Sequence, residues 1–371
     1  MDVMVVAGEA SGDAHAADLV AALRRARPGL RFFGMGGEKM AAADVELIHS
    51  SSELSVMGIV EVLPKLPRLF AVKRNLVRAA AARKPSVAIL VDVPDFNLRL
   101  AKDLKRLGVQ VAYYVSPMVW AWRPGRVEVI RRRVDRMLCI LPFEERFYRD
   151  RGLEARYVGN PTVEQLPARA PAPELRRRLG LEERRTLALL PGSRRSELSR
   201  ILPTLLEVAA GAGDVQLVMP VAPGLPRAEL EQAVAAKGVR CTFFSGRAPE
   251  VVGASDAAVV ASGTATLETA LMGCPMVCVY RVSPLTFAIG RRLVKVPHVC
   301  LVNLLAGRGV VPELLQDDFT APKVLEALAP LWAGEARERM LRGFDEVRAV
   351  LGPAGAAQRA AQAVLELLPQ G

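Results

Sequence analysis

Short, uniformly apolar runs alternate along the chain with stretches whose apolar residues recur every three or four positions. The runs at 2–7, 31–33, 86–92, 110–115 and 136–141 predict strands, and the periodic stretches at 13–25, 67–83 and 96–107 predict amphipathic helices. The strands are too evenly apolar to have a wet face, and helical patterns separate them. Together they predict a parallel sheet covered on both faces. Pro161, Pro167, Pro171 and Pro173 then punctuate an Ala-rich stretch that reads as a linker. The pattern restarts with strands at 186–190, 216–220, 240–244, 257–261 and 276–280, and with helices after Ser196 and over 264–272. From Ala321 onward the pattern is helical throughout. The expected fold is α/β: two Rossmann-like domains, 1–165 and 166–339, with a C-terminal helical tail, 340–371, completing the first.

Composition narrows the class. A chain of 371 residues is long enough for two domains at about 150 residues each. With 51% hydrophobic and 24% charged residues it can bury real cores, which excludes a disordered chain. Fifty basic against thirty-nine acidic residues leave a net charge of +11, pointing to nucleic acid, an anionic membrane or a phosphorylated substrate. Nucleic acid is the poorest of these, since the sequence has no recognition-helix motif, RNP sequence or zinc finger. Five cysteines without paired spacing fit a reducing compartment, and His15, His49 and His298 are too scattered for a histidine metal site. No basic leader precedes the first apolar run, and no apolar stretch reaches the ~18 residues of a membrane span, so a cytoplasmic protein is expected. It could still lie on a membrane. Residues 65–106 hold eleven basic and three acidic residues, 11 − 3 = +8 of the total. Within them Leu66, Leu69 and Phe70 share one side of a helix flanked by Lys73 and Arg74. That side either rests on the sheet or enters a membrane interface.

Ligands of such folds sit at the carboxyl ends of the strands, so the loops there carry the candidate chemistry. Gly8-Glu9-Ala10-Ser11-Gly12-Asp13 follows the first strand, and Glu9, Ser11 and Gly12 are candidates for contacting a phosphate or acceptor. The alternative is a plain glycine turn with Asp13 as a cap. Gly34-Met35-Gly36-Gly37 reads as a second glycine loop. Neither is a P-loop or a dinucleotide fingerprint, which argues against an NAD enzyme. Asp92-Val93-Pro94-Asp95 ends a buried strand on two carboxylates, each either a general base or a helix cap. Gly192-Ser193-Arg194 offers glycine, hydroxyl and guanidinium at a helix start, which suits a diphosphate. Ser262, Gly263 and Thr264 open another helix and could hold phosphate, with Glu268 placed to accept from ribose hydroxyls. A solvated helix face remains the alternative for Arg194, and a capping role alone for the second set. Cys274 and Cys278 read as core thiols.

Taken in order, these segments resemble one glycosyltransferase family, the lipid-A-disaccharide synthases. The resemblance runs through 8–13, Leu54-Ser55-Val56-Met57-Gly58, Asp92-Val93-Pro94-Asp95-Phe96-Asn97 and Tyr114-Val115-Ser116-Pro117. It continues through Trp120-Ala121-Trp122-Arg123, Leu141-Pro142-Phe143-Glu144, Leu190-Pro191-Gly192-Ser193-Arg194, Ser262-Gly263-Thr264 and Asn303-Leu304-Leu305-Ala306-Gly307. It implies a GT-B fold, two Rossmann-like domains facing a cleft, with no metal and no cofactor. The implied reaction moves 2,3-diacylglucosamine from UDP to the 6-hydroxyl of 2,3-diacylglucosamine 1-phosphate, an inverting transfer. The implied partners are UDP-linked and phosphorylated acylated glucosamines and the anionic inner face of the inner membrane, with a homo-oligomer possible. The same resemblance assigns Asp95 as general base, Arg194 to the nucleotide and Asn303 to the neighbourhood of the UDP-sugar. Two departures stand out: Asn160 where histidine is common, with hydrogen bonding the expected role, and Ser86 where many members have aspartate.

Overall fold

The computed structural model describes residues 1–55, 66–122, 124–284, 286–287, 290 and 296–369. It divides into two compact units, Met1–Pro161 with Pro353–Gly371, and Thr162–Gly352.

The first unit holds a parallel sheet of seven strands: β1 (Asp2–Ala7), β2 (Arg31–Gly36), β3 (Glu46–Ser50), β4 (Val87–Val91), β5 (Gln110–Tyr114), β6 (Arg136–Cys139) and β7 (Ala155–Tyr157). Their spatial order is β3-β2-β1-β4-β5-β6-β7. Alternation along a strand sends successive side chains to opposite faces, and the two cores follow from it. Met4 and Val6 pack with Leu76, Leu100 and Leu104 on one face. Val3, Val5 and Ala7 pack with Leu19, Leu23 and Ala360 on the other. Each fully buried Val, Leu or Met side chain among these contributes about 1.5–3 kcal/mol. The helix Ala356–Leu365 belongs to that second core and is fastened there by polar contacts. Buried Arg136 donates to the Ala363 carbonyl at 2.8 Å and pairs with Glu366 at 2.7 Å, while Arg359 donates to the Val158 carbonyl at 2.8 Å.

The second unit repeats the plan with six parallel strands: β8 (Thr186–Leu190), β9 (Gln216–Val221), β10 (Thr242–Ser245), β11 (Ala257–Ala261), β12 (Met276–Tyr280) and β13 (Glu313–Leu315), ordered β10-β9-β8-β11-β12-β13.

Three details differ from the sequence reading. Gly34–Gly36 do not form a loop but continue β2; a Cβ on Gly34 would lie 1.9 Å from the Val5 carbonyl oxygen, so glycine lets β2 approach β1. The edge strands β3, β7 and β13 were not anticipated. The helix Glu335–Leu351 stays with the second unit, so the segment that completes the first begins at 353 rather than 340, and the break after the first sheet falls at 161/162 rather than 165/166.

Candidate active site

Each sheet changes winding direction once, and there the loops on either side diverge and leave a crevice. In the first unit that point lies between β1 and β4, which pair through Ala7 and Val91. In the second it lies between β8 and β11, which pair through Leu190 and Val260. The motifs singled out from the sequence follow these four strands: 8–13 after β1, 92–97 after β4, 191–194 after β8 and 262–264 after β11.

At the first crevice Asp92 and Val93 both adopt left-handed backbone, with φ of 51° and 36°. A β-branched residue rarely holds that conformation, and the surroundings enforce it. The Asn97 amide donates to the carbonyls of Val91 and Asp92, each at 2.9 Å, and the Tyr113 hydroxyl donates to the Asp92 carbonyl. The turn drives the Asp92 carboxyl beneath the 8–12 loop. Gly8 N–H approaches Oδ1 at 3.4 Å, and Oδ2 is buried with no hydrogen-bond partner. A Cβ on Gly12 would lie 1.8 Å from Oδ2, so only glycine leaves room for this carboxyl. Burial, reinforced by the charge of Glu9, pushes Asp92 up to about 8. Asp95 lies in a different environment. It stands in the first turn of the helix Pro94–Arg106, its side chain 73% exposed and ion-paired with Arg126. Glu9 and Ser11 are exposed at the helix start. Asp13, read as a cap for its own helix, instead accepts from the N–H groups of Gly37, Lys39 and Met40 at 2.6–3.2 Å and caps the next one.

The neighbouring loops are tied together below the crevice. Glu144 is fully buried and accepts from Trp120 Nε1 at 2.9 Å and from Leu141 N–H at 3.1 Å. Burial pushes its carboxyl up to about 7. Asn160 donates to the Ile140 carbonyl at 3.1 Å, the hydrogen-bonding role expected for it. Asn97, Tyr113 and Glu144 were not singled out as site residues. The polar Asn97 and Glu144 beside apolar neighbours were the available signal.

The second crevice keeps its parts but uses them differently from expectation. The amides of Ser193 and Arg194, expected to receive a diphosphate, donate to Glu197 Oε2 at 2.9 and 3.2 Å. Glu197 thus caps its own helix, Arg195–Gly211, and also meets the Arg194 guanidinium at 3.4 Å. Gly263 and Thr264 are exposed, and the ideal Cβ direction of Gly263 meets open space. They start the helix Thr264–Met272, where the Thr266 N–H donates to the Gly263 carbonyl at 3.2 Å. Glu268, one turn in, is half-buried, and burial raises its pKa. Asn303 is buried and saturated: its amide donates to the Val311 carbonyl at 2.8 Å and to Glu313 at 2.6 Å, and its oxygen accepts from Val310 and Val311 N–H, each at 2.8 Å. All four of its hydrogen-bonding positions are used by these partners.

The basic helix, Leu66–Arg83, divides its residues. Leu69 is half-buried against the core and Lys73 is paired with Asp103 at 2.7 Å. Phe70 is 54% exposed, and Arg74 is exposed with it. The side chain of Leu66 lies outside the described residues, as do 56–58 of the 54–58 motif and Arg123. Among the described residues no helix is long and apolar enough to cross a membrane.

Comparison with known proteins agrees with this fold. Solved structures of similar fold include a UGT transferase from Siraitia grosvenorii in complex with UDP (TM-score 0.63, 13% identity, 98% of this chain and 99% of that one). Another is a UDP-GlcNAc 2-epimerase from Neisseria meningitidis bound to UDP-GlcNAc (TM-score 0.59, 10% identity, 99% of both chains). They place the fold in the GT-B class. A lipid-A-disaccharide synthase from Myxococcus xanthus is 59% identical, covering 100% of this chain and 98% of its own length. One from Geobacter metallireducens is 42% identical, covering 99% and 97%. The lipid-A-disaccharide synthetase family model matches residues 3–365. The chain belongs to the lipid-A-disaccharide synthetase family.

Proposed function

We propose that the protein transfers 2,3-diacylglucosamine from its UDP conjugate to the 6-hydroxyl of 2,3-diacylglucosamine 1-phosphate, releasing UDP and a β-1,6-linked disaccharide 1-phosphate. Family membership over nearly the whole chain carries the substrate assignment. The buried, partnerless Oδ2 of Asp92 at the first switch point carries the chemistry. A carboxyl held near neutrality is a strong base when ionised. It takes the proton of the acceptor 6-hydroxyl as that oxygen attacks the anomeric carbon, and the electron pair of the breaking C–O bond leaves with UDP. Of the two acids at this strand end, Asp92 rather than Asp95 has the environment for this step, because Asp95 is exposed and ion-paired with Arg126.

The UDP-sugar is assigned to the second unit. The open helix start at Ser262–Thr264 receives phosphate, Glu268 meets ribose, and Arg194 swings from Glu197 to the diphosphate. Glu197 then loses this cationic partner and keeps its two backbone amides. Both substrates carry acyl chains, and the exposed Phe70 with Arg74 and Arg78 suits peripheral contact with an anionic bilayer on the cytoplasmic side.

Release of UDP, followed with each substrate omitted in turn, tests the reading. Turnover that needs both substrates supports it. Isomerisation of the UDP-sugar without acceptor would make the protein an epimerase instead.

A further inference from the structure

Glu313 opens the edge strand β13 of the second unit, and its carboxylate is 12% exposed. An acid at the end of a sheet edge ordinarily points to water. This one is turned inward and fully engaged. Oε2 accepts from the Val299 N–H at 2.8 Å. Oε1 accepts from the Asn303 amide at 2.6 Å and faces His298 Nδ1 at 3.2 Å. Three groups of one short segment, 298–303, therefore converge on a single carboxylate.

The other side of that segment is held from the second crevice. The Ser262 hydroxyl donates to the Val299 carbonyl at 3.0 Å, so Val299 is fixed through its N–H by Glu313 and through its C=O by Ser262. Ser262 immediately precedes Gly263 and Thr264, the open helix start assigned above to phosphate. The chain of contacts runs without a gap from β13, through the 298–303 segment, to the loop after β11. We propose that Glu313 is the positioning residue of the UDP-sugar half-site, clipping segment 298–303 so that Ser262 and the helix start beyond it are held in binding geometry. Ser262 and Asn303 then serve the ligand by shaping the loop rather than by reaching it.

The inference rests on the placement of UDP in the second unit, and the experiment separates the two. Glu313→Ala removes every contact of the clip. Glu313→Gln keeps the volume but presents an NH₂ either to the Val299 N–H or to the Asn303 NH₂, so one side of the clip faces donor against donor. Calorimetric titration with UDP is expected to show affinity reduced roughly tenfold or more in Glu313→Ala and by a smaller factor in Glu313→Gln. The KM for the UDP-sugar should rise while that for the acceptor stays as in the wild type. If Glu313→Ala fails to fold, Glu313→Gln alone decides. UDP affinity within twofold of wild type in a folded variant, or acceptor and UDP-sugar KM rising together, would overturn the proposal. Failure of the wild-type protein to bind UDP would overturn the functional reading instead.

Discussion

Asp92 and Asp95 stand three positions apart in sequence and in opposite surroundings. The sequence resemblance favours Asp95, and nothing in the residue pattern reveals that two non-glycine residues, Asp92 and Val93, turn left-handed and fold the first carboxyl under Gly12. Periodicity reports which face a residue occupies, not a turn of this kind. The polar signals that did exist, Asn97 and Tyr113, act only through the fold that brings them to the Asp92 carbonyl. Asp92→Asn should keep the fold and lower turnover by about 10²–10⁴, while Asp95→Asn should cost less than tenfold. Steady-state kinetics on the two variants decide between them, and the reverse ranking would return the base to Asp95. The sign of the pH dependence follows from the same burial. A base must be ionised to act, and Asp92 is held up at about 8, so kcat/KM should climb with pH along a limb centred near 8. A limb near the ordinary carboxylate value of about 4 would show that this group is not the base.

Elements buried on both faces were the most legible. β1, β4, β8, β11 and β12 were read from apolar runs to within a residue of their observed ends, because a central parallel strand has no wet face. The missed strands β3, β7 and β13 are short, lie at sheet edges and are largely half-buried, so their residues carry no uniform apolar run. The basic helix, Leu66–Arg83, shows the same limit from the other side. Its pattern gave an apolar stripe, but only the packing shows that Leu69 faces the core and Phe70 faces outward. Phe70→Ser should therefore weaken binding to anionic vesicles with the melting temperature nearly unchanged. Leu69→Ser should lower stability by about 1–3 kcal/mol through loss of buried contact. Co-sedimentation with vesicles, paired with thermal unfolding, reads both outcomes. Unchanged vesicle binding in Phe70→Ser would move the membrane contact off this helix. Salt should weaken binding without abolishing it, since the apolar contact is not screened.

For the whole molecule, the twofold repetition of strand and helix and the order of the loop motifs point to two Rossmann-like units with chemistry at the strand ends, and the charge balance points to an anionic partner. The topology sharpened this by setting the four motif loops at the two switch points, one pair in each unit. It also shows what several side chains bond to: Asn303 and Asp13 hold loop backbone, and Glu197 occupies amides expected to be open. Assignment of the reaction rests on one product. Incubation of the protein with UDP-2,3-diacylglucosamine and 2,3-diacylglucosamine 1-phosphate, followed by mass spectrometry and proton NMR, should give a tetraacyl disaccharide 1-phosphate with a β-1,6 linkage. Recovery of an isomerised UDP-sugar, of hydrolysed monosaccharide, or of an α-linked disaccharide would contradict it.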